Sequence, residues 1–463
     1  MNLEEGKISL AEQFENIIAS GNKSEIKAFL DDQNISDVVE LVYEYPEYAT
    51  QIIANMSMHR AVNVFKLLET TEQKNIIQQL APSYTAALLN ELPADDRTDF
   101  LEELPANAVR ELIKLLDPEE RKVTLSLLGY PENSIGRLMN PDYVYVYPHN
   151  TVEEVFDTIR KYGKNSEAIN VIYVINQAGE LLDDIRIGEF ILSDPGTKVS
   201  ELMDERVISL KAYDDQESAS EIFKMNNRVA LPVVSESNKL LGIVTIDDIL
   251  WVATEEYSED MQKMGGTQAF GEPYLDIPLF QLFKKRILWL VVLFLGEMLT
   301  ATAMAFFEDE IARAVVLTLF IPLIISSGGN SGSQASTLII QAMAVGEVTT
   351  RDWWRVMRRE IVSGLLLGTV LGIIGFLRIF IYHSIAPHLY GEHWLLLALT
   401  IGFTLIGVVL WGTLSGSMLP LLLKKLGADP AVSSAPFVAT LVDVTGLVIY
   451  FTVAYLLLNG TML

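Results

Sequence analysis

Five apolar runs crowd the second half of this 463-residue chain, at 285–307, 311–343, 360–383, 393–424 and 433–459. Each supplies the roughly 20 residues that a helix needs to cross a ~30 Å hydrocarbon core. The expectation is a bilayer-embedded half with five spans. Asp443 stands alone in the last run, in Pro436-Phe-Val-Ala-Thr-Leu-Val-Asp-Val-Thr-Gly446. A carboxylate at membrane depth is costly and by default marks an ion path or proton relay. In the second run, Pro322-Leu-Ile-Ile-Ser-Ser-Gly-Gly-Asn-Ser-Gly-Ser-Gln-Ala-Ser336 offers hydroxyls, amides and glycine-rich backbone, which are oxygen ligands rather than packing groups.

Charge divides the chain at the same place. Residues 280–463 carry 10 acidic and 11 basic side chains, which leaves 50 acidic and 23 basic in 1–279, a net of −27. Such a surface repels nucleic acid and attracts cations. Solubility alone also accounts for an acidic soluble region. The absence of cysteine excludes disulfides, zinc–thiolate sites and thiol catalysis. No basic region precedes an apolar run at the N-terminus, so no cleaved signal peptide is expected. Basic clusters fall before the first span (Lys284, Lys285, Arg286), between spans two and three (Arg351, Arg355, Arg358, Arg359) and between four and five (Lys424, Lys425). The other loops hold Glu308, Asp309 and Glu310, then His383, His388 and Glu392. The positive-inside rule then places the N-terminus in the cytoplasm and the C-terminus outside.

Residues 1–135 read as short helices. Pro82, Pro93, Pro105 and Pro118 recur every 11–13 residues, each shortly after a leucine. Proline suits a first helical turn, and the repeat suggests stacked hairpins in a superhelix. Asp95, Asp96 and Asp99 open one of these helices. Favourable interaction with the helix N-terminus and metal binding explain them equally well.

Residues 136–252 repeat with an offset of about 59. Val171-Ile-Tyr-Val-Ile-Asn-Gln-Ala-Gly-Glu-Leu-Leu182 matches Ala230-Leu-Pro-Val-Val-Ser-Glu-Ser-Asn-Lys-Leu-Leu241. Each copy is a hairpin signal after an amphipathic helix, 151–162 or 216–226. The pattern resembles a tandem pair of CBS modules. Gly242-Ile-Val-Thr-Ile-Asp-Asp-Ile-Leu250 is its most typical part, and Asp183-Asp-Ile-Arg-Ile-Gly-Glu-Phe-Ile191 its divergent counterpart. Such pairs often bind adenosine nucleotides, so ATP or a relative is an expected ligand, weakened by that divergence. The link at 253–280 follows. Asp247, Asp248, Glu255, Glu256, Glu259 and Asp260 crowd its helical approach, and like charges four apart destabilise a helix unless neutralised. A solvated acidic face and a cation-requiring connector both fit.

The whole chain resembles the MgtE family of magnesium channels and transporters. The carrying residues are Gly328-Gly-Asn-Ser-Gly-Ser-Gln-Ala-Ser336 and Asp429-Pro-Ala with Pro436 to Gly446. The resemblance implies a multidomain membrane protein: a superhelical N domain (1–135), an α/β CBS pair (136–252), an acidic connector or plug helix (253–280) and a five-helix pore domain (281–463). It implies a homodimer in a bacterial cell membrane, with a pore made mainly by the second and fifth spans. It implies Mg²⁺ as substrate, and closure by the connector when cytosolic Mg²⁺ is high. Asp443 matches the family's pore aspartate, and Ala439, Thr440 and Asn330 match neighbouring pore positions. Asp215, Glu217, Asp248, Glu256, Glu259, Asp260 and Asp429 match acidic sensor positions, with Asp95, Asp96 and Asp99 where the N domain adds carboxylates. Asn227 and Trp251 stand where family members often have aspartate, so gating is expected at higher Mg²⁺, or with less dependence on Mg²⁺.

Mg²⁺ prefers octahedral oxygen geometry and loses water reluctantly, so a pore for it is expected to hold a largely hydrated ion. Glu297 is a second intramembrane acid, readable as a secondary cation site near the outer mouth or as a packing group. Arg378 lies near a span end, where its stem can snorkel. An intramembrane enzyme fits poorly: the histidines His59, His149, His383, His388 and His393 form no HExxH pattern. A membrane-anchored nucleotide sensor would explain the CBS pair but not Asp443. An exchanger for Mg²⁺, or a carrier of another divalent ion, is the remaining alternative.

Overall fold

The computed structural model describes residues 10–164, 166–270, 274–275, 277–387 and 390–462. His388, the first nine residues of the N domain and residues 271–273 and 276 of the connector lie outside the described residues. The chain forms two compact units, 1–254 and 255–463.

The first unit begins with short helices, from Leu10–Ser20 to Pro118–Leu127. Pro82 and Pro118 occupy first helical positions. Pro93 and Pro105 instead sit one residue earlier, as the caps of Ala94–Glu102 and Ala106–Ile113. Phe14, Leu30, Ile53, Phe65 and Phe100 are fully or almost fully buried in one core. Arg97 is also fully buried. Its guanidinium donates to Thr124 Oγ1 (2.8 Å), to the carbonyls of Leu89 (3.1 Å) and Leu92 (3.0 Å), and to Glu120 (2.5 Å). Every face of the charge is therefore answered, as burial requires.

Two three-stranded sheets follow. The first has β1 (Tyr143–Val146), β2 (Ala168–Ile175) and β3 (Leu181–Arg186); the second has β4 (Leu210–Lys211), β5 (Ala230–Val234) and β6 (Leu240–Thr245). In each, the first strand runs parallel to the second and the second pairs antiparallel with the third, in order β1-β2-β3 and β4-β5-β6. The parallel pair is joined by a crossover helix, Val152–Tyr162 or Gln216–Asn226, as parallel pairing demands. The repeat read from the sequence is thus a structural repeat, and its divergent end has a structural meaning. Gly242 lies against Asn140, where a Cβ would come within 2.7 Å of the Asn140 carbonyl. That closeness permits the backbone bridge between Asn140 and Ile243. At the matching position Asp183 intervenes with its carboxylate, accepting from the N–H groups of Asp204 (2.7 Å) and Glu205 (3.0 Å).

The helix Ile246–Met264 starts directly after β6 and runs through residue 252 without a break.

The second unit holds five helices long and apolar enough to cross a membrane: Leu279–Phe306, Val315–Ala344, Thr350–Ile385, Trp394–Lys425 and Ala435–Leu458. The third span begins ten residues before the predicted 360. Thr349 caps it together with Asp352, whose Oδ2 accepts from the Thr349 N–H (3.0 Å) and hydroxyl (2.8 Å). Arg351, Arg355, Arg358 and Arg359 therefore ride on its first turns instead of in a loop. Glycines bring the second and fourth spans into backbone contact. A Cβ on Gly412 would stand 2.5 Å from the Gly328 carbonyl oxygen, and one on Gly416 would overlap the Gly332 backbone. The third and fourth spans meet similarly, Gly372 against Gly402. This small-residue packing suits helices that gain nothing from hiding apolar surface from lipid.

Candidate functional site

The fifth span is fixed against the second by side-chain to backbone hydrogen bonds. Ser336 donates to the Ser433 carbonyl (2.9 Å) and Ser333 to the Ala435 carbonyl (3.1 Å). Part of the hydroxyl supply of the 322–336 stretch therefore holds the two helices together. Above this contact Asp443 is half-buried. A Cβ on Gly329 would lie 3.3 Å from Asp443 Oδ1 and 3.5 Å from Ala439 Cβ. Glycine at 329 thus leaves the carboxylate and Ala439 beside bare backbone. Asn330, the next residue, is exposed and its amide donates to Ser326 Oγ (3.4 Å). The Thr440 hydroxyl donates to the Pro436 carbonyl (3.1 Å), which orients its lone pairs outward. Asp443, Ala439 and Thr440 on the fifth span thus face Gly329 and Asn330 on the second, where the missing side chain of the buried Gly329 lets the two spans approach.

Glu297 lies beside this group of residues. Gly296 packs against Thr440, where a Cβ would come within 2.9 Å of Cγ2, because glycine lets the first span approach the fifth there. Glu297 is exposed and close enough to Asp443 for the two charges to repel.

The acidic residues of the first unit gather at the start of helix Ala94–Glu102. Asp95 is buried and accepts from Asn140 Nδ2 (3.0 Å). Asn140 also donates to Glu167 (3.3 Å), and Lys66 Nζ lies 3.4 Å from Asp96 and 3.9 Å from Glu167. Burial, and then the charge of Asp248, push Asp95 well above the usual carboxylate range. Burial raises Asp96 and Glu167 too, with Lys66 pulling the other way. Asp248 is pushed up to about 7 by burial and by Asp247, against the hydrogen bonds it receives from Thr245. Among the described residues, Lys66 is the cation paired with Asp96 and Glu167 here, so carboxylates outnumber the positive charge in this group. Glu167 was not predicted: it precedes β2 with no spacing to Asp95 that a sequence could display.

The other predicted sensor residues have local partners. Asp215 caps Gln216–Asn226, accepting from the Glu217 N–H (2.9 Å), with Glu217 exposed in the first turn. Asn227 ends that helix with φ +50°, a left-handed position that asparagine tolerates well. Trp251 is 63% exposed. Asp99 is exposed on the helix that carries Asp95. Glu256 and Asp260 are half-buried on the connector, four residues apart as predicted. Glu259 and Asp429 share Lys263, at 2.5 and 2.7 Å. Among the described residues, no three His, Asp or Glu side chains converge on one metal position.

A cavity of about 200 Å³ opens beside β3, lined by Asp183, Asp184, Arg186, Glu189, Asp204 and Arg228 among others. Arg228 is held by the buried Asp184 at 2.7 Å, and burial raises Asp184 to about 6 despite that partner.

Comparison with known proteins agrees with this layout. Residues 321–453 match the MgtE divalent cation transporter family, 33–133 the MgtE intracellular N domain, and 135–190 and 199–255 CBS domains. A magnesium transporter MgtE of Thermus thermophilus is 35% identical over 456 residues, 97% of this chain and 99% of that protein. One of Bacillus subtilis is 28% identical over 439 residues, 95% of each chain. The crystal structure of the cytosolic domain of the Mg²⁺ channel MgtE in complex with ATP superposes with a TM-score of 0.50 at 32% identity, covering 52% of this chain and 100% of that one. The soluble part of a magnesium transporter gives 0.51 at 26%, covering 54% and 99%.

Proposed function

Since the chain belongs to the MgtE family of magnesium transporters, we propose that it conducts Mg²⁺ as a homodimeric channel and is closed by cytosolic Mg²⁺. The observation that carries this is the half-buried Asp443 against the bare backbone of Gly329, with Ala439, Thr440 and Asn330 beside it. In a homodimer the carboxylate occurs twice about the axis. Two carboxylates attract a divalent ion, and the neighbouring oxygens accept hydrogen bonds from its hydration waters. Water is kept because stripping it from Mg²⁺ is slow and costly. Glu297 adds negative charge beside Asp443.

Closure follows from the acidic groups outside the membrane. Asp95, Asp96, Asp99, Asp215, Glu217, Asp248, Glu256, Glu259, Asp260 and Asp429 repel one another when no cation neutralises them. An ion that binds the closed arrangement better shifts the population toward it. Asn227 and Trp251 remove two carboxylates from that set, so closure needs more Mg²⁺. The N-terminus is cytoplasmic and the C-terminus extracytoplasmic, following the basic clusters at 284–286, 351–359 and 424–425. The cavity with Arg186 and Arg228 is the proposed seat of an adenosine nucleotide, in keeping with the ATP complex of the related cytosolic domain.

Mg²⁺ uptake into proteoliposomes at two membrane potentials tests the reading. Wild type is expected to respond to potential, worth about 2.3 kcal/mol per charge per 100 mV. Asp443→Asn is expected to lose uptake at least tenfold. Uptake that ignores potential but follows a Na⁺ or H⁺ gradient identifies an exchanger instead.

A further inference from the structure

The connector helix ends in a docked turn. Gly266, at φ +75°, reverses the chain directly after it, and a Cβ there would meet the Trp289 indole at 2.7 Å and the Pro436 ring at 3.4 Å. The Phe270 N–H donates to Gln262 Oε1 (2.7 Å), the Thr267 hydroxyl to the Gln262 carbonyl (2.9 Å), and Trp289 Nε1 to Ser434 Oγ (3.2 Å). This turn therefore rests on the start of the first span and on the residues that open the fifth.

A lysine stands at this dock, between two of the acidic groups assigned above to Mg²⁺ sensing. Lys263 Nζ lies 2.5 Å from Glu259 on the connector and 2.7 Å from Asp429. Asp429 accepts the Ala431 N–H (2.8 Å) and so caps Pro430–Val432, the short turn just ahead of the fifth span. We propose that Lys263 is a tethered counter-cation of the gate, bridging the connector to the approach of the pore helix in the place where a divalent ion would otherwise join Glu259 and Asp429. The inference rests on the reading that the connector closes the pore.

The physical case is direct. Lys263 Nζ donates to Asp429 Oδ2 and pairs with Glu259 Oε1, so one ammonium holds both carboxylates at contact distance. The three side chains are 28%, 33% and 35% exposed, so solvent screens each pair. One ammonium shared by two carboxylates still leaves them far less repulsive than they would be alone. A Mg²⁺ ion seeking both must displace a charge that is covalently tied beside them. This end of the connector is therefore docked without a divalent ion, and the Mg²⁺ response falls on the other carboxylates.

The test uses the full chain in proteoliposomes, with Lys263→Met, Lys263→Gln and Lys263→Arg. Protease protection of the connector and Mg²⁺ uptake are both read against internal Mg²⁺. In the two neutral variants the midpoint for protection is expected to rise about fivefold, the size of one partly exposed pair. The transition should also steepen, because an added divalent ion enters between the freed carboxylates. Lys263→Arg keeps the charge and should stay within about twofold of wild type. A midpoint unchanged or lowered in both neutral variants overturns the role of Lys263 while leaving Mg²⁺ gating in place. Wild type whose protection ignores Mg²⁺ overturns the gate reading and this inference with it.

Discussion

Asp248 carries two burdens at once, partial burial and the neighbouring charges of Asp247 and Asp96, and together they push its carboxyl up to about 7. A carboxyl raised on folding makes the folded state bind protons more tightly than the unfolded chain. The stability it supports is fully present below the ordinary carboxylate range and is lost as pH rises through about 7. Thermal unfolding of residues 1–254 without divalent ions should therefore show stability falling from pH 4 to pH 7. Asp248→Asn keeps an acceptor for Thr245 and removes the charge, so it should raise stability at pH 7 by roughly 1–3 kcal/mol. An equal melting temperature for variant and wild type at pH 7 would count against the assignment. Arg97 is the opposite case, a buried charge already answered on every side. Arg97→Met strands the Leu89 and Leu92 carbonyls and the Glu120 carboxylate. Denaturant unfolding of the same fragment should register a loss of about 3–5 kcal/mol.

At the level of elements, the glycine contact between the second and fourth spans makes the sharpest claim. Gly416→Ala sets a methyl group on the Gly332 backbone. Overpacking of this kind costs about 1–3 kcal/mol, so the detergent-solubilised protein should unfold several degrees lower. Gly427, which ends a turn at φ +79° with open space around it, marks a different use of the residue that the same assay can separate. Much of the element plan was legible. The five apolar runs, the ~59-residue repeat and the helical proline repeat each carry a period that survives folding. What was not legible came from contacts distant in sequence. Glu167 joins Asp95 through Asn140, and no pattern along the chain announces it. Lys263 was within reach: it follows Glu259 by four residues, the spacing of a helical ion pair, but the acidic run around it hid the one cation. Glu297 was legible as an intramembrane acid, but its nearness to Asp443 comes from the Gly296 contact with Thr440, which no spacing along the chain displays.

Charge is divided along the whole molecule, with a net of −27 in residues 1–279 against 10 acidic and 11 basic side chains in 280–463. A ligand that binds only the folded state stabilises it in proportion to the logarithm of its concentration. Mg²⁺ should therefore raise the unfolding temperature of residues 1–254 in a saturable way. Na⁺ at equal ionic strength should give only the smaller, gradual rise that comes from screening. Identical responses to the two ions would mean that the acidic surface is a diffuse field without specific binding. The glycine seam has a mechanical consequence as well. Helices that touch through side chains slide by repacking them, but where Gly328 meets Gly412 and Gly332 meets Gly416 the contact is backbone on backbone, with Val408 wedged beside Gly328. Neither rolling nor sliding is open to that pair without lifting the helices apart. The fifth span is held to the same seam, with Val442 against Gly328 and Val438 against Gly332 and with Ser333 and Ser336 bonded to the Ala435 and Ser433 carbonyls, so the second, fourth and fifth spans share one close-packed frame.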